Sequence, residues 1–415
     1  MNVLAPFRIR SYRFQWPADL LTSWAFEMET LVLGWYVLVE TGSVVMLTVF
    51  GALLYGGTLI APILGVVSDR IGHRLLLSGM RASYAAISAM LMALAFADML
   101  SPLVVCVLAA FSGMVRPCDM GLRGALIAET MPTNLLTAAL GVGRTTSDSA
   151  RIAGALVGAG LFAAFGIGPA YVAITVFYVL GSILTLCTAP VRPQVAASAS
   201  IGPDIVASPS PWRDLHEGIA HIWNTPSVLA LIWYAFLFNL TAFPITNGLL
   251  PYVAKDIYLI DQTGLGYLVA SLSFGALIGA VALSWSVLRL DLSRLMIVSA
   301  LVWHTLLLIF AQMQTVRGGI IVLLLAGITQ SLTMVSHTVI LLRVAGQRFR
   351  GRIMGVRMLA IYSLPLGLLA AGPLIDAFGF HVTASLYAVI GLVFTVLIAL
   401  RWRAQLWAPR ETLVS

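Results

Sequence analysis

Charge is what this chain has least of. Of its 415 residues, 24 are Lys or Arg and 17 are Asp or Glu, 10% in all, against about 25% in an ordinary soluble domain. So few charges cannot coat a soluble core of this size, which excludes a soluble enzyme and a disordered chain. Lysine is almost missing: Lys255 is the one lysine beside 23 arginines. The pI near 9.6 does not mean nucleic acid, because the basic residues sit between long apolar runs and read as membrane topology. Cysteine is scarce too. Cys106, Cys118 and Cys187 lie in apolar stretches without metal-ligand spacing and read as small core residues. No G-x-x-x-x-G-K-[ST], H-E-x-x-H or G-x-S-x-G occurs, so ATP use by that route and zinc or serine hydrolysis are not expected. The expectation is a protein with no catalytic residues, no metal and no cofactor. No A-x-A-like site follows the first apolar run, which reads as an uncleaved first span.

What is abundant is apolar length. Hydrophobic residues make up 60% of the chain, and a crossing helix needs about 20 of them in succession. That ruler predicts twelve spans, near 14–38, 44–66, 75–97, 101–124, 136–162, 169–189, 227–251, 264–288, 295–313, 318–342, 354–377 and 382–400. No strand period recurs, so a β-barrel is excluded. With the N-terminus inside, 18 arginines, Arg74 and Arg81 among them, fall on the cytoplasmic side. Lys255 and Arg317 fall outside, and Arg116, Arg123, Arg144 and Arg151 are left within spans. This bias places both termini in the cytoplasm of an inner-membrane, multi-pass protein.

The longest polar interruption, 190–226, contains a Pro/Ala/Ser run with linker composition. The segment WRDLHEGIAHIW (212–223) follows it, with Trp212, Leu215, Ile219, Ile222 and Trp223 on one helical face, suited to lying along the inner membrane surface. The domain reading is therefore a six-helix half at 1–189, a linker at 190–226 and a second six-helix half at 227–415. The halves show an internal echo. At a constant offset Arg144 meets Arg357, Gly154 meets Gly367, and Phe165-Gly166 meets Phe378-Gly379, in spans 5 and 11. This reads as a parallel repeat.

Between spans 2 and 3 stands GVVSDRIGHRLLL (65–77), with Gly65, Asp69, Arg70, Gly72 and Arg74 as its skeleton. Gly65 permits close helix approach, Gly72 a tight turn, and Asp69 can accept from a helix N-terminus or an arginine. This loop resembles the G-x-x-x-D-R-x-G-R-R/K signature of the major facilitator superfamily, with His73 where the family usually has Arg or Lys. LGWYVLVETGS (33–43) and FRGRIMGVR (349–357) are similar to the branch of the enterobactin exporter and the macrolide efflux proteins. The resemblance covers nearly the whole chain and implies an all-α fold of twelve transmembrane helices in two halves. It also implies that spans 1, 4, 7 and 10 line a cavity, and that Gly65, Asp69, Arg70, Gly72 and Arg74 take part in gating. The span 5 stretch AGALVGAGL (153–161) is similar to the family's antiporter motif, with Ala155 in place of its proline. In the second half the loop is reduced to SVLRLDLSRL (286–295).

Charges inside spans cost about 2.5–3.5 kcal/mol or more each, so they mark candidate sites. Span 1 carries Asp19, Glu27 and Glu29, the candidate proton-coupling residues. Glu27 and Glu29 point about 200° apart on a helix and cannot share a face. Glu27, near mid-span, is the favoured proton acceptor, with a structural ion-pair role as the alternative. Span 4 carries Arg116, Asp119 and Arg123 as one stripe, and span 5 carries Arg144, Asp148 and Arg151 as another. These suggest a shared network neutralised by the span 1 carboxylates, with Asp119 and Asp148 as gating residues. The family resemblance implies that an arginine such as Arg116 couples to a span 1 carboxylate. Arg116 and Arg151 are candidate substrate contacts, together with Asn239, Phe236 and Asn247 of span 7, where Pro244, Gly248 and Pro251 can loosen the helix. His304 and His337 are lone intramembrane histidines, read as packing residues ahead of proton carriers.

The reading is a secondary active transporter that exports an amphiphilic or anionic small molecule, drug or siderophore-like, against protons. It works as a monomer in contact with membrane lipid and without nucleic acid. An importer or lipid flippase of the same fold and a non-transporting membrane sensor stand as alternatives.

Overall fold

A computed structural model describes residues 5–56, 71–189, 222–286, 291–344, 360 and 363–406. Gly65, Asp69 and Arg70 of the signature loop, the linker, and most of the 212–223 segment lie outside the described residues. The described residues form helices and connecting turns, with no strand among them. The first six helices are α1 (Arg10–Thr41), α2 (Val44–Leu53), α3 (His73–Phe96), α4 (Pro102–Thr130), α5 (Thr133–Phe165) and α6 (Ile167–Leu186). Then come α7 (Pro226–Phe243), α8 (Gln262–Ser286), α9 (Leu292–Gln312) and α10 (Val316–Val344). The last long run, Ser363–Arg401, is interrupted at Gly379 (φ 81°, ψ 165°), so 363–378 is α11 and 380–401 is α12. Among the described residues, helical segments thus occur at all twelve expected places. Nine of the helical runs are long and apolar enough to cross a membrane.

Helix follows from the solvent. In hydrocarbon each backbone N–H and C=O must find its partner within its own segment. Local chemistry then sets the ends. Ser101 caps α4, accepting from Val104 N at 3.4 Å, with Pro102 at the first helical position. Asp291 caps α9, accepting from Ser293 N at 3.1 Å, so the reduced second-half loop has become a helix cap. The α5–α6 junction is Gly166 at φ 83°, and the α11–α12 junction is Gly379 at φ 81°. These are the two glycines that the sequence offset pairs. Both need the left-handed backbone that a side chain would strain.

Contacts divide the chain into two compact units, residues 1–36 with 53–211, and residues 37–52 with 212–415. In the first unit α3 packs most extensively on α6. Gly113 of α4 meets the backbone of Leu53 and Leu54 with no room for a Cβ. In the second unit α10 packs on α8 and α9, and α7 on α11 and α12. There Gly275, Gly279 and Gly327 close α8 against α10 backbone to backbone. Residues 37–52 pack within this unit: a Cβ at Gly51 would lie 3.2 Å from Leu368, and one at Gly372 would meet Thr48.

Polarity runs opposite to that of a soluble protein. Large apolar side chains such as Leu103 (70% exposed) and Leu366 (57%) face outward, while Arg81, Asp119 and His304 are fully buried. Two expectations are corrected here. Arg81 is not a cytoplasmic loop arginine; it sits two turns inside α3, where buried carboxylates hold it. Cys187 is not a core residue; it is exposed just past the end of α6, whereas Cys106 is buried and Cys118 half-buried.

Candidate functional site

The charges of the first unit sort into two groups along α1. The first group is closed. Arg81 of α3 pairs with Asp19 of α1, and Arg123 of α4 pairs with Asp119 one turn away. The cross contacts Arg81–Asp119 and Arg123–Asp19 are each 3.7 Å. Arg81 also donates to Thr185 Oγ1 of α6 at 2.5 Å, and Arg123 to Ser23 Oγ at 2.7 Å. Two arginines and two aspartates make the group neutral, and it ties four helices together. Removing one member of such a group leaves a buried charge unpaired, at a cost of about 3–5 kcal/mol.

The second group lies about two to three turns beyond Asp19 along α1 and is more open. Glu27 Oε1 is 3.6 Å from Arg151 Nε of α5, and the two side chains are 31% and 33% exposed. The approach is set by small residues in α5. A Cβ at Gly154 would stand 2.9 Å from Glu27 Cβ and 3.1 Å from Trp24 O, and one at Gly158 would stand 2.9 Å from Met28 Cα. This Gly-x-x-x-Gly face brings α5 onto α1 backbone to backbone, and Arg151 stands one turn before it. Arg116 of α4 donates to Phe26 O at 2.8 Å and covers the Phe26 ring at 4.1 Å, a part-buried cation–π contact worth about 1 kcal/mol. Glu29 points the other way. It is 3% exposed and accepts from Tyr178 OH of α6 at 2.8 Å. Phe26 packs edge to face on both Tyr84 and Tyr178.

Several expectations change on this geometry. Glu27 and Glu29 do face different helices. The residue at ion-pair distance from Glu27 is Arg151, while Arg116 holds the carbonyl and ring of Phe26 and acts electrostatically on both Glu29 and Glu27. The span 4 stripe does not act as one: Asp119 and Arg123 join the closed group, while Arg116 leaves it. Asp148 is half-buried on α5, and the side chain of Arg144 lies outside the described residues. Arg74 caps the end of α6, donating to Leu186 O at 3.2 Å and Thr188 O at 3.0 Å. Beside it, His73 Nδ1 lies 2.6 Å from Glu129 Oε1. Gly72 takes φ 86° at the start of α3, the tight turn expected of it.

The span 7 candidates are in the second unit. Asn239 donates to Ala235 O at 2.8 Å on its own helix. Asn247 is half-buried in the π-helical turn Pro244–Gly248, where the loosened helix predicted from Pro244, Gly248 and Pro251 is found. Phe236 lines a groove against α12 together with Trp233. His304 Nδ1 donates to Ala300 O at 2.9 Å and its Nε2 lies 3.1 Å from Thr241 Oγ1, and His337 Nε2 is 2.8 Å from Leu231 O. Both histidines pack on Phe238 as core residues.

Sequence reasoning missed Arg81 as a site residue, along with the roles of Tyr178 and Phe26. The signal for Arg81 was its depth, well inside an apolar run with Ser78, Tyr84 and Ser88 on neighbouring turns. Tyr178 carried no signal apart from being a polar tip in an apolar span.

Known proteins with the same features are transporters. The family model described as the Major Facilitator Superfamily matches residues 20–362. The multidrug efflux pump Tap of Mycolicibacterium fortuitum is 26% identical over 84% of this chain and 85% of its own length. Tap of Mycobacterium tuberculosis (strain ATCC 25618 / H37Rv) is 24% identical over 73% and 71%. Among solved structures, a mutant of the nucleoside transporter NupG superposes with a TM-score of 0.72 at 14% identity, covering 94% of this chain and all of the other. A bacterial homologue of the human lysosomal transporter Spinster gives 0.69 at 12% identity, covering 96% of each. With the family matched along most of its length and the fold shared over nearly all of it, this chain belongs to the major facilitator superfamily and is a multi-pass membrane transporter, not an enzyme.

Proposed function

We propose that this transporter exports amphiphilic or anionic small molecules, of the drug or siderophore type, across the inner membrane in exchange for protons. The observation that carries the proposal is the Glu27–Arg151 pair. Asp19 is held by two buried arginines and Glu29 by Tyr178, whereas Glu27 is partly exposed and has a cation at ion-pair distance. At 3.6 Å such a pair attracts by about 5 kcal/mol at an effective dielectric of 20, before solvent screening of its exposed part. An isolated charge at this depth costs about 2.5–3.5 kcal/mol. Protonating Glu27 frees Arg151 for an anionic group of the substrate, with Arg116 beside it. Asn239, Asn247 and Phe236 are the span 7 candidates for substrate contact. Relatives named as multidrug efflux pumps support the export direction and the breadth of substrate.

The arginine bias supports both termini in the cytoplasm, with 190–226 as the linker between halves 1–189 and 227–415, and a monomer as the working unit. The loop residues Gly65, Asp69, Arg70, Gly72 and Arg74, with Asp119 and Asp148, act in gating.

The test is transport into proteoliposomes under an imposed pH gradient with a panel of dyes and siderophore-like anions. Wild type should accumulate substrate only with the gradient. Glu27→Gln should lose gradient-driven accumulation and keep energy-independent counterflow. Accumulation by Glu27→Gln equal to wild type would move the proton role away from this pair.

A further inference from the structure

The second unit carries an apolar groove of its own. It has a volume of about 400 Å³ and runs between α7 and α12, lined by Trp233, Phe236 and Leu240 on one side and Phe394 and Leu397 on the other, with Arg401 at its end. Its walls are open to the surroundings: Trp233 is 45% exposed, Phe394 50% and Leu397 51%. They continue into the outward apolar face of α12 at Val389, Val393 and Leu400. In a membrane protein such a face looks into the bilayer. From Ile390 to Arg401 the helix rises about 16 Å, and the hydrocarbon of one leaflet is about 15 Å deep. The groove therefore runs the depth of one leaflet and stops at a cation.

The mouth is built for a headgroup. Arg401 is exposed, and among the described residues no carboxylate lies within ion-pair distance of it. Its guanidinium stands 5.4 Å from the ring of Trp402, which also lines the groove. Arg403 follows in the next turn. Arginine next to tryptophan at the end of a transmembrane helix is the arrangement of the headgroup layer. A cationic recess between helices there attracts lipid phosphate. We infer that this groove binds one acyl chain of an anionic phospholipid, with Arg401 on its phosphate.

The experiment uses the full chain in nanodiscs of phosphatidylcholine doped with either phosphatidylglycerol or phosphatidylcholine carrying brominated acyl chains. Bromine quenches nearby tryptophan. The groove signal is the quenching lost in the Trp233→Phe/Trp402→Phe double variant, which removes two of the ten tryptophans. Brominated phosphatidylglycerol should quench this signal at about fivefold lower mole fraction than brominated phosphatidylcholine, the factor expected for one arginine at the headgroup surface. Arg401→Gln should abolish the preference, and Arg401→Lys should keep it. Equal quenching by the two lipids would overturn the inference, as would a preference that survives Arg401→Gln. Displacement of both lipids alike by an exported amphiphile would overturn it too, making the groove a substrate entry instead.

Discussion

Arg151 on α5 reaches Glu27 on α1 because Gly154, one helical turn further on, leaves no side chain between the two helices. The second half repeats the packing without the charges. Gly367, the residue that the offset pairs with Gly154, closes on the Leu240 carbonyl of α7 and lies 2.7 Å, by its missing Cβ, from Pro244. Leu240 stands where Glu27 would be. The same glycine-mediated contact thus carries an ion pair in one half and apolar packing beside a π-helical turn in the other.

The contact at Gly154 makes a prediction about packing. Gly154→Leu should force α5 away from α1, lengthen the Glu27–Arg151 pair and reduce transport at least tenfold. The overpacking should cost about 1–3 kcal/mol, read as a lower melting temperature in detergent. Gly160→Leu, with nothing within 4 Å of its missing Cβ, should leave both readouts near wild type. Equal effects at the two positions would show that the α1–α5 contact has no special role.

Arg81 should matter for stability more than for transport chemistry. Arg81→Met leaves Asp19 and Asp119 short of a cation in a buried site, an expected loss of about 3–5 kcal/mol. Arg81→Lys should rescue only partly, since one ammonium cannot copy the guanidinium's separate contacts to Asp19 and Thr185. Thermal unfolding of the purified variants checks both. A melting curve for Arg81→Met that overlays wild type would contradict the closed group.

Asp69, outside the described residues, takes its expected role from the signature loop. Asp69→Asn should slow transport at saturating substrate several-fold while expression stays near normal. An unchanged maximal rate would remove it from gating. The neighbouring Arg74 can be compared directly: Arg74→Ala uncaps the last carbonyls of α6 and should cost about 0.5–1.5 kcal/mol of stability.

The arginine bias makes a topological prediction. Single-cysteine variants in 198–210, on a background lacking Cys106, Cys118 and Cys187, should label with a membrane-impermeant reagent only after the cells are opened. Labelling in intact cells would reverse the orientation.

Much of the architecture was written along the chain, because a bilayer makes helix a local necessity. Each apolar run must satisfy its own backbone, so run length alone located the helices from α3 to α10 to within a few residues, except at the ends of α4 and α7. Gly166 and Gly379 were legible for a similar reason: a left-handed turn between two spans admits glycine and little else, and both take it. Charge scarcity likewise singled out Glu27, Arg116 and Arg151 as residues that need an explanation. Partnership was not legible. Whether Glu27 meets Arg116 or Arg151 depends on how α1, α4 and α5 are rotated and how closely they approach, and two arginines at similar depth look alike in one dimension. Arg81 was misplaced because its long side chain could have turned toward the membrane surface. In the folded protein it turns inward, since Asp19, Asp119 and Thr185, from three other helices, converge on that point. Secondary structure here depends on neighbours in sequence, whereas the pairing of buried charges depends on neighbours in space.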